Sequence, residues 1–392
     1  MDDARVGIYV HVPFCERVCP YCDFAVEKTA SLSRAVEDAY VDALLAELSQ
    51  RRGRFAGRAL ATVYLGGGTP SLLRPQSIER IVAGVHAAFP SAPGEAVETT
   101  LELNPGTTER ARLPAFRASG VDRLSVGVQS FDDRTLKRLG RAHRARDCCA
   151  ALEAARAAGF ENVSLDLILA APGQRLAGVE RDLAAALDFE PRHVSVYLLA
   201  VEPGTPFARA ARGQLDLAGD DEAAQMLERA GERLAEAGLE RYEISSFARP
   251  CFESRHNRRY WQRRAVLGLG AGAWSCDPAD EGAPHGARRG NVRSRAEYLA
   301  RIEAGASAAA GPDEPLEGPA ARGEAAFLAL RTREGLSAAD FAGEFGAPPR
   351  GFFAAAIDEL VVADLLDESA DGSLRLTRRG ILLSDSVFER FV

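Results

Sequence analysis

The chain has 392 residues, of which 46% are hydrophobic, and its formal net charge at pH 7 is −8. This length accommodates one large domain and a small one, with enough apolar residues for a packed core. The negative charge disfavours a nucleic-acid partner, because proteins that bind phosphate backbones usually present a basic face. No apolar run approaches the roughly 20 residues that a membrane-spanning helix needs. We therefore expect a cytoplasmic protein without direct membrane insertion.

Short strands rich in β-branched residues alternate with longer helical segments over the first 240 residues. The pattern predicts six strands: GIYVHV (7–12), ATVYLGG (61–67), TTLELN (99–104), RLSVGVQS (123–130), NVSLDLILA (162–170) and HVSVYLLA (193–200). The helical patterns between them include residues 34–52, 76–89 and 146–160. The alternation of strand and helix predicts a parallel α/β fold, and six units favour a partial (β/α)6 barrel over a doubly wound sheet.

The rest of the chain has weaker patterns. YEISSFA (242–248) is a candidate seventh strand, and residues 276–293, rich in Gly and Ala, are predicted to form a loop. The predicted domains are a barrel over residues 1–240, a barrel-edge extension over 241–302, a linker over 303–323 and a small, mostly helical domain over 324–392.

Unusual polar residues and glycines concentrate where the predicted strands end. Polar residues and glycines follow or end the first four strands: Cys15, Cys19 and Cys22 after the first, Gly67, Gly68 and Thr69 at the second, Glu102 and Asn104 at the third, and Gln129 at the fourth. The fifth strand contains Asp166 and the sixth contains Tyr197. The carboxyl ends of parallel strands meet at one mouth of a barrel, which is where such folds carry their sites. We therefore expect these residues to share one site.

Three cysteines within eight positions indicate a metal site, since disulfides are uncommon in a reducing compartment. Thiolates are ligands of zinc and of iron–sulfur clusters. A structural zinc site normally has a fourth protein ligand close by, and position 24, where another cysteine would be sought, is Phe24. The favoured interpretation is a cluster with one open corner, and a zinc-binding scaffold is the weaker one.

The Cys-x3-Cys-x2-Cys pattern, with GGGTP (66–70) after the second strand, resembles the radical S-adenosylmethionine superfamily. The resemblance implies a TIM-type partial barrel, a [4Fe-4S] cluster on the three cysteines, and S-adenosyl-L-methionine on the iron that lacks a cysteine. It implies these contacts to S-adenosyl-L-methionine: Tyr9, Tyr21, Gly67, Gly68, Thr69, Glu102, Gln129, Arg141 and Asp166. The glycines are expected to let backbone amides approach the cofactor closely.

Further motifs resemble the coproporphyrinogen oxidase-like group of this superfamily, and most closely its haem chaperone branch, HemW: RLSVGVQSFDDRTLKRLGRAH (123–143), YEISSFARP (242–250) and LTRRGILLSDSVFERF (376–391). The oxidases of the group carry a fourth cysteine where this chain has Phe24. HNRRYW (256–261) matches the HNxxYW motif of the chaperone branch, which implies haem contacts by His256, Asn257, Tyr260 and Trp261. His256 is the first candidate for an iron ligand. The resemblance also implies a glycine where this chain has Cys251.

The function expected from the resemblance is haem delivery. The protein would bind the cluster, S-adenosyl-L-methionine and haem, and pass haem to haem-requiring client proteins, with respiratory enzymes as candidates. Whether it is also an enzyme is left open. The alternative function is that of an oxygen-independent coproporphyrinogen III oxidase, which decarboxylates two propionates of a porphyrinogen.

Overall fold

A computed structural model describes residues 4–29, 31–210 and 214–392. Its first half is a series of strands and helices. In chain order they are β1 (Arg5–Val12), β2 (Phe14–Cys15), β3 (Glu27–Lys28), α1 (Arg34–Arg51), β4 (Ala59–Gly67), α2 (Pro75–Ala88), β5 (Glu98–Leu103), α3 (Thr107–Ala118), β6 (Arg123–Gln129), α4 (Asp133–Arg138), α5 (Ala145–Ala157), β7 (Asn162–Leu169), α6 (Leu176–Leu187) and β8 (His193–Leu198). Short 3-10 helices, Arg52–Phe55 and Pro70–Leu72, follow α1 and β4.

Strands β1, β4, β5, β6, β7 and β8 pair in that order, and all of them run parallel. Each matches a predicted strand within two residues at either end. The predicted partial (β/α)6 barrel is therefore confirmed.

The second part of the chain extends the barrel at both edges. Its elements are α7 (Pro206–Arg209), α8 (Asp220–Glu236), β9 (Glu240–Arg241), β10 (Ser246–Ala248), α9 (Arg255–Trp261), β11 (Val266–Leu269), β12 (Trp274–Asp277), β13 (Ala287–Gly290), α10 (Arg295–Glu303) and β14 (Glu314–Pro315). Strand β11 pairs parallel with β1, and β12, β13 and β14 follow it as antiparallel strands. At the other edge, β10 pairs antiparallel with β8.

Two sequence predictions about this part are wrong. Within YEISSFA only Ser246–Ala248 is a strand, and it is antiparallel, so the seventh parallel strand is β11 instead. The predicted loop 276–293 contains the end of β12 and all of β13. These edge strands have only three or four residues each, which is too short for a periodic pattern of apolar and polar residues to be recognised in the sequence.

The C-terminal part is mostly helical, as predicted. It contains α11 (Gly318–Leu330), α12 (Ala338–Phe345), α13 (Arg350–Val362), β15 (Leu366–Glu368), β16 (Leu374–Leu376), α14 (Arg378–Leu382) and α15 (Ser384–Phe388). A separate hydrophobic cluster includes Leu330, Phe341 and Ile357. Helix α11 begins inside the stretch predicted as a linker, and the domain limits remain a prediction. Within the described part of the chain, no helix combines the length and apolar composition needed to cross a membrane.

Residues on each barrel strand alternate between two environments. On β1, Val6, Ile8 and Val10 join the core beneath the helices, whereas Tyr9 and His11 face the barrel interior and contact each other there. The same alternation turns polar side chains inward on the other strands: Thr62, Tyr64, Glu98, Thr100, Glu102, Arg123, Ser125, Ser164, Asp166, His193 and Ser195. The interior is therefore a polar column of side chains.

The backbone at Cys251 is left-handed, which accounts for the glycine that the resemblance implied there. Cys251, where the resemblance implied glycine, is exposed and has φ of 70°. Glycine adopts this conformation without the strain that a Cβ atom introduces. The position favours glycine, as the resemblance implied.

A buried carboxylate joins α1 to the barrel-edge extension. Glu47 is 1% exposed and accepts hydrogen bonds from the Gly270 backbone N–H (2.9 Å), Asn291 Nδ2 (2.7 Å) and the Tyr298 hydroxyl (2.8 Å). Burial raises the pKa of Glu47, and the three donors oppose that rise. The three partners lie more than 200 residues away along the chain.

Replacing Glu47 with alanine should lower the free energy of unfolding by about 2–4 kcal/mol, because three buried donors would lose their acceptor. Urea denaturation at neutral pH measures this difference. Asp42→Ala, on the same helix, is the control: its carboxylate is 65% exposed and pairs with Arg80, so the loss should be below about 1 kcal/mol. Equal losses in the two variants would contradict the role of Glu47.

Candidate functional site

A cavity of about 560 Å³ opens at the carboxyl ends of the barrel strands. Cys15, Cys19 and Cys22 line it. So do eight of the nine residues expected at the cofactor: Tyr21, Gly67, Gly68, Thr69, Glu102, Gln129, Arg141 and Asp166. The structure thus brings the cysteine loop together with residues from β4, β5, β6 and β7, as the sequence predicted for a shared site.

The end of β4 holds the cysteine loop through the main chain. Gly68 N–H donates to Val12 O and Thr69 N–H to Phe14 O, both at 2.8 Å. A Cβ atom on Gly68 would lie 2.7 Å from each of these two oxygens. Glycine is required here because two segments of protein backbone touch.

This differs from the expected reason for the glycines. Gly67 has φ of 103°, and its backbone N–H donates to Glu102 Oε2 at 3.0 Å. A Cβ atom there would meet the His11 ring at 2.5 Å. The amides of Gly67, Gly68 and Thr69 are therefore taken up by protein acceptors, and the glycine run is explained by packing within the chain.

Donors reach two of the three cysteine sulfurs. Thr69 Oγ1 lies 3.8 Å from Cys15 Sγ, and an Arg141 guanidinium nitrogen lies 3.6 Å from Cys19 Sγ. Burial raises the pKa of Cys15 to about 11 and also raises that of Cys22. Within residues 4–29, 31–210 and 214–392, no three His, Cys, Asp or Glu side chains are arranged to hold a single metal ion.

Two carboxyl groups stand deeper in the cavity. Glu102 accepts hydrogen bonds from the Tyr64 hydroxyl (2.9 Å) and from Gly67, and Asp166 accepts one from Ser125 Oγ (2.9 Å). Burial, followed by the nearby Asp166 charge, raises the pKa of Glu102 to about 7. Burial raises the pKa of Asp166 to about 6. This pair can accept hydrogen bonds from a cationic or hydroxylated ligand, and a cation would favour its ionised form.

Tyr9 does not line the cavity. Its hydroxyl is 3.0 Å from His11 Nδ1, and its ring stacks on Tyr64 with centroids 6.1 Å apart. Tyr9 therefore lies in the barrel interior below the cavity, where it supports Tyr64, the donor to Glu102.

The HNRRYW segment lies away from the cavity, and none of its residues lines it. It forms α9 at the amino-terminal ends of the strands, where Arg259 donates to the backbone oxygen of Arg5 at 2.7 Å. His256 is 1% exposed, its Nδ1 is 2.8 Å from Thr62 Oγ1, and its ring stacks on Tyr64 at 5.2 Å. Burial lowers the pKa of His256 to about 3, so the imidazole is neutral. The structure does not bring the expected haem contacts and the cysteines together.

The remaining expected haem contacts surround His256 or face the C-terminal part. Asn257 donates its backbone N–H to Ser254 Oγ at the start of α9 (3.3 Å). Tyr260 meets the His256 ring edge-on at 5.4 Å. Trp261 packs under the Arg331 guanidinium at the end of α11, 4.5 Å from its ring centroid. The segment thus connects the floor of the barrel with the C-terminal helices.

Ser125 was not expected at the site, and Asn104, which was expected there, has contacts that the sequence did not indicate. Asn104 Nδ2 donates to Thr69 Oγ1 at 2.7 Å and its oxygen accepts from Arg141, so it links the donors of two cysteines. Ser125 precedes Gln129 by four residues in the same predicted strand, so strand alternation predicts that both side chains face the same side. This pattern could have identified Ser125 from the sequence. At the cavity mouth, Phe24 is 66% exposed, and its apolar neighbours along the rim are Val18, Tyr197 and Leu198.

Gly68→Ala should displace the cysteine loop, because its methyl group would overlap two backbone oxygens. We expect a loss of about 1–3 kcal/mol in the free energy of unfolding, together with faster reaction of Cys15 with a thiol reagent. Gly53→Ala is the matched control, since nothing lies within 4 Å of a Cβ atom at that position. Unchanged stability and thiol reactivity in Gly68→Ala would contradict this account of the glycine.

Family models match two parts of the chain: the Radical SAM superfamily over residues 9–186 and the HemN C-terminal domain over residues 319–383. The fold is similar to that of coproporphyrinogen III oxidase (HemN) from Escherichia coli, which is described as a radical SAM enzyme. The TM-score is 0.83 at 24% identity, over 99% of this chain and 90% of that one. This likeness concerns the fold alone.

Relatives match along nearly the whole sequence. The heme chaperone HemW of Bacillus subtilis is 34% identical over 391 residues, 98% of each chain, and that of Mycobacterium tuberculosis is 38% identical over 389 residues, 99% of this chain and 95% of its own. A mitochondrial protein of Bos taurus, radical S-adenosyl methionine domain-containing protein 1, is 40% identical over 271 residues, 69% of this chain and 60% of its own. The chain therefore belongs to the heme chaperone HemW family of the radical SAM superfamily.

Proposed function

We propose that the protein is a cytoplasmic haem chaperone. It holds a [4Fe-4S] cluster on Cys15, Cys19 and Cys22, binds S-adenosyl-L-methionine beside it, and transfers haem to haem-requiring proteins. The observation that carries the proposal is a cavity with three cysteines and two carboxyl groups in which the fourth cysteine position is Phe24. Relatives named heme chaperones, matched over almost their full length, support it.

The donor set fits such a cluster. Thiolates are its usual ligands, and three of them leave one corner for another ligand. The Thr69 hydroxyl beside Cys15 favours the thiolate form of that side chain, which burial alone disfavours. The Arg141 guanidinium lies 3.6 Å from Cys19 Sγ, where it can donate to a ligating sulfur. When bound, the cluster would supply one-electron redox chemistry.

The rest of the cavity suits the polar groups of S-adenosyl-L-methionine. Glu102 and Asp166 offer acceptors for an ammonium group and for ribose hydroxyls, and Arg141 offers donors for a carboxylate. A volume of about 560 Å³ lies in the range typical of small-molecule and cofactor sites. The residues around the cysteines thus bind and orient the ligand.

Haem contact is proposed for the HNRRYW segment. Among the described residues, the Nε2 atom of His256 has no hydrogen-bond partner, so the imidazole retains a nitrogen for iron. The rings of Tyr64 and Tyr260 cover this side chain, so α9 has to move before haem reaches it. The exposed ring of Phe24 offers a second apolar surface, at the cavity mouth.

Anaerobic reconstitution of the full chain with iron and sulfide tests the cluster. We expect about four iron and four sulfide per chain, as a [4Fe-4S] cluster requires, and their loss in Cys15→Ser. Cys149→Ser, which changes a residue on α5 outside the cavity, should retain both. Zinc without sulfide would contradict the cluster and favour a zinc-binding scaffold.

Haem titration of the same preparation, followed by absorption spectroscopy, tests whether the protein binds haem. We expect saturable binding that His256→Ala weakens about tenfold or more, because an axial ligand is lost. His193→Ala is the control: this imidazole is also buried inside the barrel, bonded to Ser164 and Tyr242, but lies outside the motif. Equal effects in the two variants would refute the assignment of His256.

The same samples separate the chaperone from an oxidase. With S-adenosyl-L-methionine and a reductant, we expect no conversion of coproporphyrinogen III to protoporphyrinogen IX. Conversion that depends on the three cysteines, without specific haem binding, would refute the chaperone proposal.

A further inference from the structure

An arginine is buried in the barrel interior without a direct partner. Arg123, the first residue of β6, is 2% exposed. Within the described ranges its side chain makes no hydrogen bond or ion pair, and its Nε atom is buried and unsatisfied. A guanidinium removed from water is strongly unfavourable unless negative charge compensates it. The interior must therefore supply that charge from a short distance.

Strand register places Arg123 directly below the two cavity carboxyl groups. Ser125, the next inward position on β6, donates to Asp166 and pairs in register with Glu102 on β5. Arg123 pairs one step lower, with Thr100 on β5 and Asn162 on β7. Glu102 lies two residues above Thr100 on β5, a distance of roughly 7 Å, which is within the reach of an arginine side chain. Asp166 lies four residues above Asn162 on β7, and its hydrogen bond with Ser125 holds its carboxyl group beside that side chain.

The other titratable groups around this point are either neutral or are acids that do not line the cavity. They are Tyr9, Tyr64, Tyr197 and Tyr242, His193 and His256, and the acids Glu98 and Glu243. Burial raises the pKa of Tyr9, Tyr64 and Tyr242 and lowers that of both histidines, so these five groups are neutral near pH 7. Tyr197 stands at the exposed rim of the cavity. Glu98 accepts the His256 backbone N–H (3.2 Å), and Glu243 faces Arg331 at 3.9 Å.

We propose that Arg123 is a positioning residue, the buried counter-charge that favours the ionised forms of Glu102 and Asp166 so that the cavity above them accepts a cationic ligand. This inference rests on the proposed function, which supplies S-adenosyl-L-methionine, a sulfonium with an ammonium group, as that ligand. Arg123 touches neither the ligand site nor the cysteines and acts only through the two carboxyl groups.

The electrostatics of the pair support the proposal. Burial is the main influence on both groups and raises the pKa of Glu102 to about 7 and that of Asp166 to about 6. The Arg123 charge acts in the opposite direction on both. Without it, both carboxyl groups would hold their protons to higher pH, and a neutral carboxylic acid attracts a cation only weakly.

The test is the affinity of cluster-reconstituted protein for S-adenosyl-L-methionine at pH 7.0 and pH 8.5, measured by calorimetry. If Arg123→Met raises the pKa of Glu102 by about one unit, its ionised fraction at pH 7.0 falls about fivefold. We therefore expect about fivefold weaker binding at pH 7.0 and less than a twofold difference at pH 8.5. The ligand's own titration is common to all variants and cancels in the ratio.

Arg123→Lys is the conservative variant and should restore binding at pH 7.0 to within about twofold of wild type. A loss of affinity that is the same at both pH values, no loss, or a lysine variant that behaves like the methionine variant would overturn the proposal. Arg123→Gln replaces the methionine variant if that protein does not fold, with the same expected pH profile.

A second readout uses the apoprotein and needs no ligand. A carboxyl group with a raised pKa stabilises the fold at low pH, and this stability is lost as pH rises through the folded-state pKa. From pH 6 to pH 8.5, Arg123→Met should therefore lose about sevenfold more in its folded-to-unfolded ratio than wild type if the pKa of Glu102 alone rises by one unit, and about fortyfold more if that of Asp166 rises equally. The extra loss should vanish in a Glu102→Gln, Asp166→Asn background.

The two readouts separate the inference from the proposed function. If wild type binds no S-adenosyl-L-methionine, the proposed function fails, while the apoprotein measurement still decides whether Arg123 controls the carboxyl groups. Parallel pH profiles for wild type and Arg123→Met would overturn the inference even if wild type binds the ligand.

Discussion

The site depends on two backbone hydrogen bonds between the end of β4 and the cysteine loop, Gly68 N–H to Val12 O and Thr69 N–H to Phe14 O. They fix the loop to the sheet before any ligand is present. Side chains then add to this frame: the Thr69 hydroxyl faces Cys15, and Asn104 connects Thr69 with Arg141. A loop tethered by its own main chain can present three cysteines without using their side chains for folding.

The second constraint is the polar barrel interior. Inward-facing side chains form a continuous series from the cavity carboxyl groups, through Tyr64 and Tyr9, to His256 on α9. Buried polar groups are stable only when hydrogen bonds or opposite charges satisfy them. Tyr64 serves both ends of this series, since its hydroxyl donates to Glu102 while its ring covers the His256 imidazole. The cavity and the HNRRYW segment are therefore connected through one side chain, although they lie at opposite ends of the strands.

The sequence was sufficient for the barrel and for most of the cavity, because both depend on local patterns. Strand alternation and the position of polar residues at strand ends are readable within eight or nine residues. The placement of α9 could not be predicted from the sequence, because it depends on contacts between distant residues. His256, for example, contacts Thr62 and Glu98, which lie 194 and 158 residues away. A sequence motif identifies a set of residues but does not show which part of the fold they contact. The inward orientation of Arg123 could have been predicted, because strand alternation puts it on the same side as Ser125 and Gln129. A charged residue at the start of a strand is usually solvated, however, which argues against that prediction.

Helix α9 is attached on both sides, and this has a spectroscopic consequence. The chain has only two tryptophans. Trp261 is partly buried beneath Arg331, and close by the Ile244 backbone N–H donates to Arg331 O (3.1 Å), so this indole sits at the contact between the barrel and the C-terminal helices. Trp274 on β12 is 55% exposed. Intrinsic fluorescence therefore combines one solvated emitter with one shielded emitter beside a cation, and a red shift in the shielded component would report separation of the two parts without any added label.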